Sequence, residues 1–301
     1  MRSRYDVLIV GGGPAGLSAA LWLGRCQRRT LLCDAGRPRN SASHGLHGFL
    51  TRDATPPAEF NRMGREQLAV YPSVEIRDTE VLDAAHAPHG FDVTLAVDHR
   101  VSCRKLLLAT GVKDILPEIP HFADYYGRSI FHCPYCDGWE MRGKRLALLA
   151  SGQAALDVGL LLRLWSDSVT ITSHGAAELN AEERSRLARH NIAVREDLIT
   201  GLEGEDGCLN ALVFESGERL PCDGLFFSTG KYQHSPLAAK LGCKFEDEGC
   251  VAVGKYQATN VPNLFVAGDA SGSMQLAVVA AAEGTQAAIA INKALLAEDT
   301  A

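Results

Sequence analysis

A glycine-rich turn between an apolar strand and a helix is the feature that most constrains this chain. Residues 5–10 (YDVLIV) form a strand-like run, Gly11–Gly16 reads GGGPAG, and the residues that follow have helical spacing. A second strand-like run ends at Asp34, 18 positions after the last glycine of the turn. This order predicts a β–turn–α–β unit of the type that holds a dinucleotide.

Each residue type in the turn has a physical reason to be there. Gly11 permits the tight turn, Gly13 lets a pyrophosphate approach bare backbone, and Gly16 allows close packing of helix against strand. The helix N-terminus offers N–H groups to the phosphates, and Asp34 is placed to accept hydrogen bonds from a ribose diol. A glycine-rich turn without a ligand is the weaker interpretation, because strand, helix and acid come in the right order.

The same pattern recurs once, and a third signal lies near the C-terminal end. The elements predicted in the middle of the chain are strand 146–150, helix 153–165, strand 168–172, helix 181–190 and strands 209–215 and 225–228. Strand 263–267 then ends at Gly268-Asp269 and precedes an Ala-rich helix, 275–296. An aspartate at a strand end can bind a polyol, although on its own Asp269 is better interpreted as an ordinary turn residue.

Length and charge narrow the class of protein. A chain of 301 residues suggests two domains at roughly 100–200 residues each. The 30 basic and 36 acidic side chains give a net charge of −6, so we expect no nucleic-acid partner. The apolar runs are too short for a membrane span or a signal peptide, which makes a cytoplasmic enzyme the expectation.

The nine cysteines include one pair at close spacing, Cys133-Pro134-Tyr135-Cys136. A structural zinc site needs a second close pair or neighbouring histidines, and the other cysteines lie too far apart in the sequence to supply one. The odd, scattered count also differs from a secreted disulfide framework. We therefore expect no metal site and interpret the CxxC pair as redox-active.

Taken together, the motifs resemble those of the low-molecular-weight thioredoxin reductase family of flavoproteins. The turn at Gly11–Gly16, the sequence ATG at 109–111, the CxxC-Asp-Gly at 133–138 and the sequence AGD at 267–269 occur in that family's order and spacing. The resemblance covers essentially the whole chain. It implies an α/β fold of two Rossmann-like, three-layer dinucleotide-binding domains, the second inserted in the first: an FAD-binding domain at 1–114 plus 246–301, and a pyridine-nucleotide-type domain at 118–243 that carries the CxxC.

The resemblance also implies which residues hold FAD. Gly11, Gly13 and Gly16 would bind the pyrophosphate, Asp34 the adenosine ribose, Val81 the adenine and Asp269 the ribityl chain. The helix near Gln275 would direct its N-terminus at the flavin pyrimidine ring, where its dipole stabilises developing negative charge. The further cofactor contacts it implies are Pro14, Ala15, Ala35, Asn40, His47, Thr110, Gly111, Gly268, Gln275 and Leu276.

For the CxxC pair the resemblance implies a division of roles. Cys136 would face the flavin, Cys133 would exchange with the outside substrate, and Asp137 would donate and accept the proton. The thiolate is the nucleophile, and the direction of electron flow depends on relative potentials that a sequence does not reveal.

The predicted second nucleotide site departs from the family pattern. Relatives that use NADPH have a GxGxxA/G turn and a basic cluster for the 2′-phosphate, whereas this chain has Ala150 in place of the first glycine and Ser173-His174-Gly175 in place of the cluster. We expect the Ala150 Cβ to crowd the turn, and a neutral histidine does not replace bidentate guanidinium contacts. Two lost charged contacts, at about 1.5–3 kcal/mol each, lower the affinity a hundredfold or more, so we expect NADPH not to be the donor.

Two further departures are local. Proline inside the CxxC fixes φ and removes an N–H, which stiffens the loop. The segment 38–48, which contains Asn40, His44 and His47, resembles the branch of the family that includes dithiol oxidases. The histidines are candidates for a flavin contact or a base, and ordinary surface histidines are an equally good interpretation.

Three functions therefore stay open at this point. The first, which we favour, is an FAD-dependent disulfide oxidoreductase that oxidises a protein or small-molecule dithiol without NADPH, with oxygen, ferredoxin, a quinone or a second FAD in the altered nucleotide site as its other electron partner. The second is an NAD(P)H-dependent thioredoxin-disulfide reductase. The third is a flavin-binding redox sensor without turnover, which the intact CxxC and Asp137 disfavour. By resemblance we expect a homodimer.

Overall fold

The computed structural model describes residues 4–96, 99–247, 249–272 and 274–301. Contacts divide the chain into two compact units. Unit 1 comprises 1–41, 48–113 and 232–301, and unit 2 comprises 42–47 and 114–231. Unit 2 thus interrupts unit 1 along the chain.

Unit 1 is built on one seven-stranded sheet with the order β3-β2-β1-β6-β5-β4, in which β17 pairs with the second half of β6. Strands β3, β2, β1, β6 and β17 are parallel, whereas β5 pairs antiparallel with both β4 and β6. The elements are β1 (Arg4–Val10), α1 (Pro14–Arg25), β2 (Thr30–Asp34), α2 (Pro57–Leu68), β3 (Val74–Asp78), β4 (Val81–Ala87), β5 (Gly90–Leu95), β6 (Arg100–Leu108), α7 (Leu237–Lys240), β17 (Leu264–Val266) and α8 (Ala277–Asp299).

Alternation along the strands divides the core of unit 1 into two layers. Leu8 and Val10 of β1 pack on one face of the sheet with the β4–β5 hairpin, whereas Val7 and Ile9 pack on the other face with α1 and α8. Because side chains alternate with a period of two, a buried strand of this kind contributes to both layers at once. The carboxyl ends of the parallel strands meet at one edge, where ligands of such sheets bind.

Unit 2 repeats this plan on a smaller scale. Its parallel sheet has the order β11-β10-β9-β15-β8 and is accompanied by a three-stranded antiparallel sheet, β12-β13-β14. Leu146 and Leu148 face α5, and Ala147 and Leu149 face the antiparallel sheet. The elements are α3 (Phe122–Tyr125), β8 (Ile130–Phe131), α4 (Pro134–Asp137), β9 (Arg145–Leu149), α5 (Gly152–Leu162), β10 (Ser168–Thr172), α6 (Ala181–Arg189), β11 (Ala193–Arg195), β12 (Ile199–Glu205), β13 (Cys208–Phe214), β14 (Arg219–Pro221) and β15 (Gly224–Phe227). Two short strands, β7 (Val112–Asp114) and β16 (Lys231–Gln233), pair with each other where the chain crosses between the units.

The predicted fold class, an α/β protein with two Rossmann-type sheets, is confirmed. The structure divides the chain differently in two places: it groups 42–47 with unit 2, and the chain returns to unit 1 at Tyr232 and not near Glu246. The second difference has a clear origin. The cause is apolar packing, because Leu237, Ala238 and Leu241 of the α7 region are buried in the core of unit 1. None of the helices in the described ranges is both long and apolar enough to cross a membrane.

Some predicted element ends also shift. Helix α5 ends at Leu162, and the chain continues to Trp165 through i,i+3 hydrogen bonds, so the predicted end at Trp165 is wrong. Helix α8 begins at Ala277 because Leu276 is still extended, with φ −119° and ψ 143°.

Candidate active site

The turn after β1 has the geometry expected of a pyrophosphate cradle. Gly11 has a φ of +110°, and a Cβ there would lie 2.2 Å from the Ala109 carbonyl oxygen. A Cβ at Gly16 would lie 1.9 Å from the Gly11 carbonyl oxygen, so α1 packs directly on the turn. A Cβ at Gly13 would meet nothing within 4 Å, and α1 begins at the next residue, Pro14. The turn therefore presents bare backbone at the start of a helix.

Asp34 lies at the end of the neighbouring strand and covers this turn. A Cβ at Gly12 would lie 2.3 Å from Asp34 Oδ2. The Gly36 N–H donates to Asp34 Oδ1 at 3.0 Å, and Arg65 Nη2 donates to Asp34 Oδ2 at 2.7 Å. An ionised carboxylate has about four acceptor positions, so the carboxylate keeps acceptor capacity beyond these two contacts.

The Gly268-Asp269 turn follows β17 at the same edge of the sheet. Gly268 has a φ of +78° and a ψ of −158°, a conformation that residues with a Cβ rarely adopt. The buried Glu283 carboxylate of α8 fixes this backbone, because its Oε2 accepts from the Gly268 N–H at 2.7 Å and from Ser271 Oγ at 2.9 Å. The turn that presents Asp269 is thereby tied to the helix behind it.

Arg39 joins two of the residues predicted to bind the cofactor. Its Nη1 donates to Asp269 Oδ2 at 3.0 Å and to Gln275 Oε1 at 2.9 Å. The other polar atom of that amide, Gln275 Nε2, is buried and has no hydrogen-bond partner within the ranges that the structure describes. An unsatisfied buried donor is costly, so it points to a ligand atom as its partner.

Most of the remaining predicted cofactor residues also lie in unit 1. Thr110 and Gly111 follow β6, Val81 begins β4 and is buried, and Leu276 precedes α8. Ala15 is buried in α1, whereas Ala35 is exposed and Asn40 is half-buried in the loop after β2. His47 is different, because it belongs to unit 2, where its Nδ1 lies 3.8 Å from Glu140 Oε1.

The residues of unit 1 fit a dinucleotide such as FAD. The open backbone at Gly13, the Asp34 carboxylate above the turn and the unsatisfied Gln275 donor are each groups that such a ligand would engage. They come from segments far apart in the sequence, at the carboxyl edge of one sheet.

The CxxC pair lies in unit 2 and is closed as a disulfide between Cys133 and Cys136. Pro134 begins the short helix α4, and Cys133 lies at its N-cap. The Cys136 N–H donates to Cys133 Sγ at 3.2 Å. A donor of this kind stabilises a thiolate, so this contact would stabilise Cys133 when the bond opens. Tyr135 between them is 70% exposed.

Asp137 is the ionisable group that follows the pair directly. Burial raises its pKa to about 7, and the negative charge of Glu140 adds to the shift. A carboxyl group that titrates near neutral pH can both accept and donate a proton during thiol exchange. Glu140 in turn lies beside His47, so an acid–base cluster of three side chains adjoins the disulfide.

The turn of unit 2 that corresponds to the Gly11 turn has a different backbone. The positive φ, +55°, falls at Gly152, the first residue of α5, and Ala150 has none. The expectation that the Ala150 Cβ crowds the turn is wrong, since that methyl is buried with Leu146 and Leu148 in the apolar core. An exposed carboxylate faces the turn instead, with Glu178 Oε2 3.8 Å from where a Gly152 Cβ would lie.

The residues at the predicted 2′-phosphate position are engaged elsewhere. His174 Nδ1 accepts from the Ile199 N–H at 2.8 Å, and Ser173 Oγ donates to the carbonyl of Gly175 at 2.5 Å. Arg195, the nearest arginine along β11, is held by Asp197 and Glu218.

Four residues of these clusters were not identified from the sequence: Arg39, Arg65, Glu140 and Glu283. Arg65 and Glu283 contact partners 31 and 15 positions away, and no local pattern marks such contacts. Glu140 lies beyond the end of α4 at Asp137, and nothing but its closeness to the CxxC pair in the sequence could have indicated it.

Comparisons with known proteins agree with this architecture. Residues 5–284 match the family model for pyridine nucleotide-disulphide oxidoreductases. The chain is similar to "Thioredoxin reductase tcpT" of Claviceps purpurea, with 34% identity covering 88% of this chain and 86% of that protein. It is also similar to "Thioredoxin reductase aclD" of Aspergillus oryzae, with 30% identity covering 95% of both.

Among solved structures, the putative thioredoxin reductase TrxB from Bacillus anthracis superposes with a TM-score of 0.93 at 32% identity, covering 98% of this chain and 99% of that one. The predicted resemblance is thus confirmed at the level of the family. The chain belongs to the pyridine nucleotide-disulphide oxidoreductases, as a thioredoxin reductase-like, FAD-dependent disulfide oxidoreductase.

Proposed function

We propose that this enzyme oxidises dithiols through the Cys133–Cys136 disulfide and FAD, without NADPH as the electron donor. The observation that carries the proposal is the nucleotide turn of unit 2, where the Glu178 carboxylate lies near the start of α5. A carboxylate in that place repels a pyrophosphate that would otherwise bind the helix N-terminus.

The absence of arginines at the 2′-phosphate position supports the same proposal. Ser173 and His174 occupy that position, and both are hydrogen-bonded within the protein. Because Ile199 donates its N–H to His174 Nδ1, this nitrogen acts as an acceptor, and His174 could offer a phosphate only its single Nε2 donor in place of a guanidinium fork. Arg195 is already paired with two carboxylates, and releasing it would leave them without their partner.

The proposed reaction is a two-step disulfide exchange. A substrate thiolate attacks Cys133 Sγ, the bond between Cys133 and Cys136 breaks, and Cys136 leaves as a thiolate. The second substrate thiolate then attacks the substrate sulfur of the mixed disulfide, which forms the substrate disulfide and releases Cys133 as a thiolate. The substrate has lost two electrons, and the cysteine pair has gained them.

The groups around the pair suit these steps. The Cys136 N–H stabilises Cys133 as the leaving thiolate of the second step. With a pKa of about 7, Asp137 takes up a proton from a substrate thiol and returns one to the departing sulfur. Bound FAD would supply the two-electron acceptor that restores the disulfide.

The residues proposed to hold FAD are those of unit 1. Gly11, Gly13 and Gly16 would cradle the pyrophosphate, Asp34 would accept from the adenosine ribose, and Asp269 and Gln275 would contact the flavin half. The proposed set is completed by Pro14, Ala15, Ala35, Asn40, Val81, Thr110, Gly111, Gly268 and Leu276. The contact of His47 with the cofactor stays a prediction.

An NAD(P)H-dependent thioredoxin-disulfide reductase is the second candidate, because the similar curated proteins are named thioredoxin reductases. Steady-state turnover separates the two. With dithiothreitol as donor and air as oxidant, we expect sustained oxygen consumption that requires both cysteines. With NADPH or NADH as donor we expect none, and sustained turnover with either nucleotide would favour the reductase.

The sequence made the altered nucleotide site of unit 2 a candidate for a second FAD, but the Glu178 carboxylate would repel that pyrophosphate as well, so we expect one FAD per chain. The ratio of released flavin to protein tests this, since one site gives one equivalent and two sites give two. Comparison with Asp34→Asn, which affects unit 1 alone, would show which site loses flavin.

We also propose that the protein is a cytoplasmic homodimer. Of its other cysteines, Cys26, Cys33, Cys103, Cys208, Cys222 and Cys243 are free thiols, which is typical of a reducing compartment. Light scattering of the purified protein would show twice the chain mass if the dimer forms.

A further inference from the structure

Arg65 makes a bridge between two carboxylates beside the glycine-rich turn. It lies on α2, and its Nη2 donates to Asp34 Oδ2 while its Nη1 donates to Asp78 Oδ1, both at 2.7 Å. The side chain of Asp34 is only 17% exposed, whereas that of Asp78 is 79% exposed. The ion pair with Asp34 is therefore better shielded from solvent than the ion pair with Asp78, and its loss should have the larger effect.

The position of Asp34 makes this contact relevant to ligand binding. Its carboxylate lies over the Gly12 backbone and is held from two sides, by the Gly36 N–H on Oδ1 and by Arg65 on Oδ2. Two fixed donors leave the carboxylate little freedom to rotate, and they occupy about half of its acceptor positions. The remaining positions can accept from a vicinal diol without rearrangement.

Charge gives a second reason for the contact. A free carboxylate next to a pyrophosphate would repel it, and a guanidinium paired with that carboxylate offsets the repulsion. As a carboxylate paired with a guanidinium, Asp34 offers the ligand acceptor oxygens only, which is what the hydroxyls of a ribose diol require.

We propose that Arg65 is a positioning residue for the adenosine ribose of the cofactor: it fixes and neutralises Asp34, so that the carboxylate accepts from the ribose hydroxyls beside the pyrophosphate. This inference rests on the proposed assignment of Asp34 to the adenosine ribose. Arg65 itself makes no contact with the ligand.

A merely structural role for Arg65 gives a different expectation. The bridge to Asp78 connects α2 with β3, and its loss could loosen the helix without any effect on ribose recognition. The neighbouring Arg62 provides a matched control, because it lies on the same helix and also pairs with two carboxylates, Glu59 and Glu66, yet it contacts neither Asp34 nor Asp78.

The test uses the FAD-loaded full chain and measures how much ADP, or 2′-deoxy-ADP, releases half of the flavin. The ratio of the two concentrations reports on recognition of the ribose hydroxyl and is insensitive to a general loss of stability. We expect the wild-type protein to prefer ADP by about tenfold, the size of a hydrogen bond to a charged group. Arg62→Met and Asp78→Asn should keep this preference.

Arg65→Met and Asp34→Asn should each reduce the preference for ADP over 2′-deoxy-ADP to near unity. The preference of the double variant should equal that of either single variant, since the two residues act as one unit. Arg65→Lys should restore part of the preference, because lysine keeps the charge but not the fork of donors. If Arg65→Met kept the full preference while Asp34→Asn lost it, the positioning role would be refuted and the ribose assignment would stand. If Asp34→Asn kept the preference as well, both would be refuted.

Discussion

Arg39 Nη1 lies 3.0 Å from Asp269 Oδ2, so that a side chain from the loop after β2 holds the aspartate that follows β17. The same nitrogen donates to Gln275 Oε1, and the guanidinium is largely buried. One arginine thereby fixes two side chains that we propose contact the flavin half of FAD.

Replacing Arg39 should therefore weaken flavin binding. We expect Arg39→Met to raise the Kd for FAD about tenfold, because a hydrogen bond to a charged group contributes about 1.5–3 kcal/mol. Fluorescence of released flavin measures the change. Arg37→Met is the matched control, since Arg37 is exposed and pairs with Glu80 on the surface. An equal effect of both substitutions would contradict the account.

Glu283 tests the architecture of the Asp269 turn. Glu283→Leu leaves the Gly268 N–H without its buried acceptor and leaves the Ser271 hydroxyl only the Gly268 carbonyl, so we expect a loss of unfolding free energy on the order of 2–4 kcal/mol. Glu283→Gln retains an acceptor oxygen and should lose less than half of that. Urea unfolding measures both variants, and equal losses would show that the acceptor at Oε2 is not what stabilises the turn.

The pKa of Asp137 predicts how turnover depends on pH. Since burial raises this pKa to about 7, the base form that takes a proton from the substrate thiol grows as the pH rises through 7. We expect the rate of dithiol oxidation to rise over that range, which gives the pH–rate profile an ascending limb near pH 7. Asp137→Asn should lower the rate about 10²–10⁴-fold and remove this limb. An unchanged pH profile in Asp137→Asn would assign the limb to another group.

The same shift has an effect of opposite sign on stability. Between the ordinary pKa of 3.8 and about 7, the folded protein holds a proton on Asp137 that the unfolded chain has released. Stability therefore falls as the pH rises through this window, and the loss is complete above about 7. We expect Asp137→Asn to be more stable than the wild-type protein at pH 8 and similar to it below pH 4. Thermal unfolding at the two pH values checks this, and a destabilised variant at pH 8 would contradict it.

The two cysteines should differ in what they trap. Cys136→Ser leaves Cys133 able to attack or be attacked but without its resolving partner, so we expect a stable mixed disulfide with an oxidised substrate. Cys133→Ser should trap much less, because the outward exchange is assigned to Cys133. Mass spectrometry of the intact protein measures the adduct, and the reverse pattern would exchange the two roles.

Much of this picture was predictable from local sequence. The glycine turn, Asp34 and the CxxC pair are marked by neighbours within a few residues, and strand order follows from the β–α–β pattern. The pairing of Asp34 with Arg65 and of Gly268 with Glu283 was not predictable, because these contacts depend on how α2 and α8 pack on the sheet. Ala150 shows most clearly what the sequence could not predict. Its identity suggested a blocked turn, whereas its side chain is part of the core and Glu178 is the group that faces the turn.

In the proposed reaction, electrons enter through the disulfide and not through a pyridine nucleotide. The decisive experiment is anaerobic addition of one equivalent of NADPH, NADH or dithiothreitol, with the visible absorbance of the flavin as readout. We expect dithiothreitol to bleach the flavin, Cys133→Ser and Cys136→Ser to abolish this bleaching, and neither nucleotide to bleach it. Rapid, saturable bleaching by NADPH or NADH would instead show that a pyridine nucleotide is the electron donor.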